Sequence, residues 1–368
     1  MAKSLVFVVG AGASKEVGLP TGAELRSRIA ELLDLRYEFG SRRSSGDQLI
    51  EDALRELALP TACFHDAMNA FQRSAWRIRD AMPQALSIDN FIDSHREDTR
   101  IATCGKLAIT RSILSAEAAS TIYVDARRVD AKLDFTRVEN TWLNIFFRLV
   151  AENCQADEIA ARLSKIAIIC FNYDRCIEHF LHESLRNYFG MNELEASDAL
   201  ANLSIYHPYG SVGQLHWQNR QAGIAFGESP DAKTLVKLAN GIRTFTEGID
   251  LASSDISAIR RTVADAERLV FLGFAFHRLN LDLILEPLSD GQQVKDRPTY
   301  ATALGISHPN IDEIRAALTK RGAIHQQRCY LRSDLTCANL LEEYWWSLAL
   351  TREPLENSNR KQTETPSS

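Results

Sequence analysis

Residues Leu5–Val9 read Leu-Val-Phe-Val-Val, an apolar, β-branched-rich run that stops abruptly at Gly10, Ala11, Gly12, Ala13 and Ser14. Five apolar residues without polar alternation are too short for a buried helix and suit a strand covered on both faces, as in a parallel sheet. The small residues beyond let the backbone turn tightly and approach another group closely, a phosphate among the candidates. Taken alone, the stretch leaves two readings open: a nucleotide-binding turn, or a strand-to-helix turn with no ligand. A dinucleotide fingerprint would need glycine where Lys15 stands, and an acid ending a second strand about 20 residues on. That distance falls near Glu31 and Asp34, inside a helical pattern, and no G-x-x-x-x-G-K-[ST] loop occurs.

The same event recurs along the chain. Apolar runs at 166–171, 204–207, 269–274 and 299–306 each end in glycine or polar residues, and 324–331 reads as a last strand. Helical patterns separate them: one after the Thr21/Glu24 capping box, one from Asp174 to about Phe189, one over 309–320 and one closing over 335–350. This alternation predicts an α/β fold with a Rossmann-like doubly wound parallel sheet. Ligand loops belong at the carboxyl ends of such strands. The expected crevice is therefore lined by Gly10–Ser14, Asn172–Asp174, His207–Ser211, Gly273–Phe276 and Gly305–Ser307.

Residues 49–163 show helical spacing throughout, so an all-helical domain is expected to be inserted after the first strand–helix unit. The boundaries are 1–38 and 164–351 for the sheet domain and 39–163 for the insertion. Residues 40–47 read as a polar connector, 218–250 carry no assignable pattern, and 352–368 read as a disordered tail. In the closing helix, Leu340, Leu341, Tyr344, Trp345 and Leu348 suit either an assembly surface or a cover for the sheet.

Composition excludes some partners. The formal charge is 42 − 48 = −6, so no global basic field points to direct nucleic-acid binding. No run approaches the roughly 20 apolar residues of a membrane span, and the amino terminus lacks a signal-peptide pattern. Seven scattered cysteines with no C-x-x-C pair argue against a zinc module or a disulfide scaffold. The expectation is a cytoplasmic chain with reduced thiols and no metal.

Asn172 and Asp174 leave one strand end two residues apart, so in extended backbone they face the same side. They suit a ribose hydroxyl, a water or a carboxamide, although Asn172 by itself reads first as a cap for the next helix. His207 ends another strand before a glycine-containing turn and suits a general base, a ribose ligand or a structural role. His277 is a second choice.

Taken in order, Gly10–Ser14 with Gly18-Leu-Pro20, Phe171–Asp174, His207–Ser211 and Phe271–Phe276 with Asn280 resemble the sirtuin-like NAD-consuming family. More narrowly, they resemble the sirtuin-like NAD hydrolases of bacterial antiphage defence. Ser87-Ile-Asp89-x-Phe91 is similar to an element of that group's helical insertion. The resemblance spans residues 5–307. It implies NAD+ as substrate, cleaved to nicotinamide and ADP-ribose, with no metal. Pyrophosphate would lie on Gly10, Ala11, Gly12 and Ser14, and the nicotinamide ribose near Asn172, with the carboxamide near Asp174. Gly273 and Phe274 would border the adenosine side. Asn172 would position water and His207 would act as base or hold ribose hydroxyls, with Tyr209 in the same pocket.

The resemblance also implies an abortive-infection effector that depletes NAD. Its activity would be controlled by homo-oligomer assembly or by a partner such as a HerA-like hexameric ATPase. Three departures stand out. Thr21-Gly22-Ala23 replaces Asp-Phe-Arg, the four-cysteine zinc module is missing, and Tyr209 stands before the glycine where that family has histidine. The first two argue against acyl-lysine transfer. The third keeps open a catalytically weak sensor or scaffold that binds NAD or ADP-ribose.

Overall fold

Leu5–Val9 (β1) is buried along its whole length, and its residues alternate between two cores. A computed structural model gives the structure of residues 3–38, 42–125, 131–244, 254–285, 297–322 and 324–350. The expected tail, 352–368, lies outside these residues. Val6 and Val8 enter one core, while Leu5, Phe7 and Val9 enter the other. That double burial explains the absence of polar alternation in the sequence.

Beside β1 runs Ile166–Cys170 (β4) and beyond it Ser204–Tyr206 (β5). On the other side lie Leu269–Leu272 (β6), Thr299–Thr302 (β7) and Cys329–Arg332 (β8). All five pairings are parallel, in the order β5-β4-β1-β6-β7-β8. Counted by appearance among these six, the order is 3-2-1-4-5-6, the dinucleotide-fold order. The chain reverses direction across the sheet between β1 and β6, which places the topological switch point at their carboxyl ends. The fold is the expected Rossmann-like doubly wound α/β sheet.

The turn after β1 forms a single helical turn, Ala11–Ser14 (α1), continued as a 3-10 turn over Lys15–Val17. Gly22–Leu32 (α2) follows with the expected capping box, in which Thr21 N donates to Glu24 and Glu24 N donates to Thr21. The core around Val6 and Val8 is covered by α2, Gln48–Ala58 (α3), Phe64–Ala81 (α4), Ile88–Ser94 (α5) and Thr99–Ala119 (α6). Ala232–Ala239 (α11), Ser254–Asp265 (α12), Arg278–Ile284 (α13) and His308–Gly322 (α14) pack on the same face.

The opposite core takes Trp142–Ala151 (α7), Ile159–Leu163 (α8), Cys176–Phe189 (α9), Glu193–Leu200 (α10), Cys337–Glu343 (α15) and Trp345–Leu348 (α16). The helices of 39–163 thus divide between the two faces: α3–α6 on the first, α7 and α8 on the second.

Three local expectations are corrected. Residues 40 and 41 lie outside the described residues; within the polar stretch 40–47, Arg42–Ser45 (β3) forms a strand that pairs antiparallel with Arg36–Glu38 (β2). No apolar alternation marks it, because β2 lies mostly outside either core. The unassigned stretch 218–250 contains α11, whose start is fixed by the Asp231 side chain accepting from Thr234 N at 2.7 Å. The closing helix breaks at Tyr344 into α15 and α16. Leu340, Leu341 and Leu348 are fully buried there against the sheet, whereas the aromatic Trp346 stands out, 89% exposed.

One buried ion pair ties the inserted helices to the sheet. Arg175, at the start of α9, donates to Glu117 near the end of α6 through Nε at 3.1 Å and Nη2 at 2.5 Å. Both residues are essentially inaccessible. The guanidinium also donates to Ile224 O and Ala225 O, and Gly227 N donates to Glu117 at 3.0 Å. Each charge is thereby surrounded by hydrogen bonds, the condition under which a buried pair is tolerable.

Candidate functional site at the strand exits

At the switch point two backbones touch. Gly10 N donates to Leu272 O at 2.9 Å, and Gly12 N to Gly273 O at 3.0 Å. A Cβ on Gly10 would stand 2.6 Å from Gly273 O, and one on Gly273 would stand 2.0 Å from Ala13 N. Gly273 also has φ +57°, the left-handed region, and its N–H donates to Thr302 Oγ1 at 2.8 Å. The glycines of both loops are therefore required by this close approach. With Ala13 N donating to Gly10 O, three loop amides are already engaged. A phosphate here would be met by close backbone approach, with fewer free N–H groups than a full cradle offers.

Asn172 joins β4 to this loop. Its Nδ2 donates to Gly10 O at 3.0 Å and to Ser14 Oγ at 2.8 Å, 162 and 158 residues away in sequence. The cap reading of Asn172 is corrected: the N-cap position of α9 is Arg175, with no side-chain cap bond. Ser14 hydrogen-bonds the Asp174 carboxyl, which also accepts from Cys176 N at 3.1 Å. Burial pushes the Asp174 carboxyl above its ordinary value, with Ser14 and the Cys176 amide working the other way. Asn172 and Asp174 do face the same side, and Ser14 links them. With both amide hydrogens engaged, Oδ1 is the atom of Asn172 that can meet a ligand.

His207 lies just beyond β5 and points into the protein. Nδ1 is 3.1 Å from Asn172 O and Nε2 is 2.8 Å from Glu178 Oε1. A carbonyl and a carboxylate only accept, so the imidazole serves both as a doubly protonated cation. Burial works to lower its pKa, but the Glu178 charge, with Cys170 behind it, holds it well above the ordinary value. Burial would likewise raise the Glu178 carboxyl, yet His207 brings it below its usual range. Neither imidazole nitrogen is left to take a proton. The geometry makes His207 a positioning residue for the Asn172 backbone, which is a correction to its reading as a base.

Tyr209 is buried among aromatic side chains, edge-on to Phe171 at 5.6 Å, and its hydroxyl donates to Asn280 Oδ1 at 2.6 Å. Phe274 packs 5.1 Å from Phe171 and 5.3 Å from Phe276. His277 precedes α13 and makes no capping bond. Glu178, Asp89 and Tyr173 were not singled out for roles from the sequence, although all three join this network. Glu178 stands one helical turn after Asp174, so i, i+4 spacing was the available signal. The Tyr173 hydroxyl is hydrogen-bonded to Asp89, a partner 84 residues away that no local pattern reveals.

No helix among the described residues is long and apolar enough to cross a membrane, and no cluster of three potential metal ligands occurs among them. Compared with known protein families and with curated proteins, the chain matches no family model and no curated sequence.

Proposed function

We propose that the strand-exit site binds NAD+ and hydrolyses the bond between nicotinamide and ribose. The observation that carries this reading is the Asn172 carboxamide, pinned by Gly10 O and Ser14 Oγ beside the switch point of a 3-2-1-4-5-6 sheet. Such switch points are where nucleotides bind. In this reading the pyrophosphate lies against Gly10–Ser14, Gly273 and Phe274 flank the adenosine side, and the nicotinamide ribose lies beside Asn172. Breaking the glycosidic bond develops positive charge on the ribose. Asn172 Oδ1 accepts a hydrogen bond from the attacking water, and Asp174 and Ser14 hold that amide in one orientation. His207, through its bond to Asn172 O, keeps the backbone of β4's exit in place.

The test is nicotinamide release from NAD+ by wild type and Asn172→Ala, each with and without neighbouring gene products. Loss of at least about a hundredfold in the variant is expected, the scale of a preorganised hydrogen-bonding group. Full activity in Asn172→Ala would sink the mechanism.

One observation favours a second reading. His207 is engaged on both nitrogens and Tyr209 is bonded to Asn280, so the residues at the expected histidine motif are not free to act as base. The site would then sense NAD or ADP-ribose without turning it over. Saturable binding of both ligands, with no nicotinamide released under any condition, would decide for this sensor. A role in antiphage defence, with homo-oligomers or a HerA-like ATPase as trigger, rests on the family resemblance alone. It is checked by co-purification with the neighbouring gene products and by cellular NAD levels after infection.

A further inference from the structure

The dinucleotide fold usually places an acid at the end of the strand next to β1, where it binds ribose hydroxyls. Here that strand is β4, and the acid at its own exit, Asp174, is turned toward Ser14 and the Cys176 amide. Tyr173, between Asn172 and Asp174, belongs to the core on the opposite face of the sheet. Its hydroxyl is hydrogen-bonded to Asp89 Oδ1, at the start of α5 in the inserted helices. The insertion thus brings a second, half-buried carboxylate to a strand exit whose own acid, Asp174, is already engaged.

The surroundings suit a sugar. Burial, and after it the nearby Asp89, raises the Tyr209 hydroxyl well above its ordinary pKa, and burial also raises the Asp89 carboxyl. Tyr209 donates to Asn280 Oδ1 at 2.6 Å, so the amide hydrogens of Asn280 are the end that can meet a ligand oxygen. Phe276 is held at φ +54°, a strained conformation for an aromatic residue, at 7% exposure beside Phe274. Backbone strain of this kind persists only where packing fixes it. A vicinal diol carries two donors and several acceptor lone pairs, which a carboxylate and an amide can answer.

We infer that Asp89 is a sugar-recognition residue, whose carboxylate accepts hydrogen bonds from the vicinal hydroxyls of the nicotinamide-side ribose. This deepens the NAD reading and rests on it. Tyr173 is a positioning residue, orienting Asp89 through its hydroxyl, and Asn280 contributes the opposing donor.

The experiment is equilibrium binding of ADP-ribose, and of ADP-ribose lacking the 2-hydroxyl on its terminal ribose, to wild type, Asp89→Asn and Tyr173→Phe. Neither ligand retains the nicotinamide bond, so turnover does not interfere. Wild type is expected to bind the complete ligand about tenfold more tightly, the scale of one hydrogen bond to a charged group. Asp89→Asn should bind both ligands within about twofold of each other. Tyr173→Phe, which keeps the carboxylate, should fall between and serves if Asp89→Asn does not fold. Retained discrimination in Asp89→Asn, or none in wild type that binds both ligands, overturns the assignment and leaves the NAD reading standing. Wild type that binds neither ligand overturns both.

Discussion

Two buried ion pairs flank the exit of β4, and they behave differently. Arg175–Glu117 joins α9 to α6, and its guanidinium is further bonded to two backbone carbonyls. His207–Glu178 joins the β5 exit to α9, and Glu178 Oε2 has no hydrogen-bond partner. Arginine as a residue type stays charged in proteins. Histidine can lose its proton, and the imidazole of His207 is fixed to Asn172 O. The difference teaches that burial with a carboxylate has different consequences for two kinds of cation. It makes arginine a permanent rivet, and it turns a histidine that reads as a base into a charged prop.

The largest effect expected from breaking this comparison is at the rivet. Arg175→Met strands Glu117 as an uncompensated buried charge and should cost about 3–5 kcal/mol, read from denaturant midpoints. A change below about 1 kcal/mol would mean that solvent reaches Glu117.

His207→Gln should cost less, about 1–3 kcal/mol, because glutamine keeps one donor for one of the two acceptors. The pH dependence sharpens the contrast. The folded pKa of His207 is raised, so its contribution is fully present below about 6.5, the ordinary histidine value, and fades as pH rises through the folded value. Glu178 is lowered, so its contribution holds above about 4.3 and disappears as pH falls through its folded value. The stability gap between wild type and His207→Gln should therefore be widest from about pH 4.5 to 6.5 and narrow above it. The Arg175→Met gap should not narrow over the alkaline range. Parallel gaps for the two variants up to pH 10 would remove the distinction between rivet and prop.

The smallest stability effect is expected at Asn172→Ala, about 1 kcal/mol, since Gly10 O and Ser14 Oγ each keep another partner. Here stability and function should separate, with nicotinamide release falling far more than the midpoint moves. A midpoint shift as large as that of Arg175→Met would mean that Asn172 is mainly structural.

Much of the fold was legible because β1, β4, β6 and β7 are buried on both faces, so burial writes itself as unbroken apolar runs. The pairing of β2 with β3 was not, since neither Arg36–Glu38 nor Arg42–Ser45 carries an apolar alternation. Within the site, Asn172, Asp174 and Gly10–Ser14 were found because each lies where a strand runs out. Which atoms they touch was hidden, because Ser14 and Asn172 meet across 158 residues. His207 stood at a strand end as expected, yet its role depended on Glu178, a residue on a helix. Asp89 was invisible as a ligand for the same reason: its position at the crevice is a consequence of how the insertion packs.

The contact among Gly10, Gly12 and Gly273 has a genetic consequence. A methyl group added at any of the three would strike main-chain atoms of the opposite loop, so no second substitution that trims a side chain can relieve it. Positions more than 260 residues apart therefore form a single allele in practice. Selection for revertants of Gly273→Ala is expected to return glycine at that codon, or changes that displace a whole loop. Recovery of a compensating side-chain substitution at residue 11 or 13 would show that the two loops can slide apart.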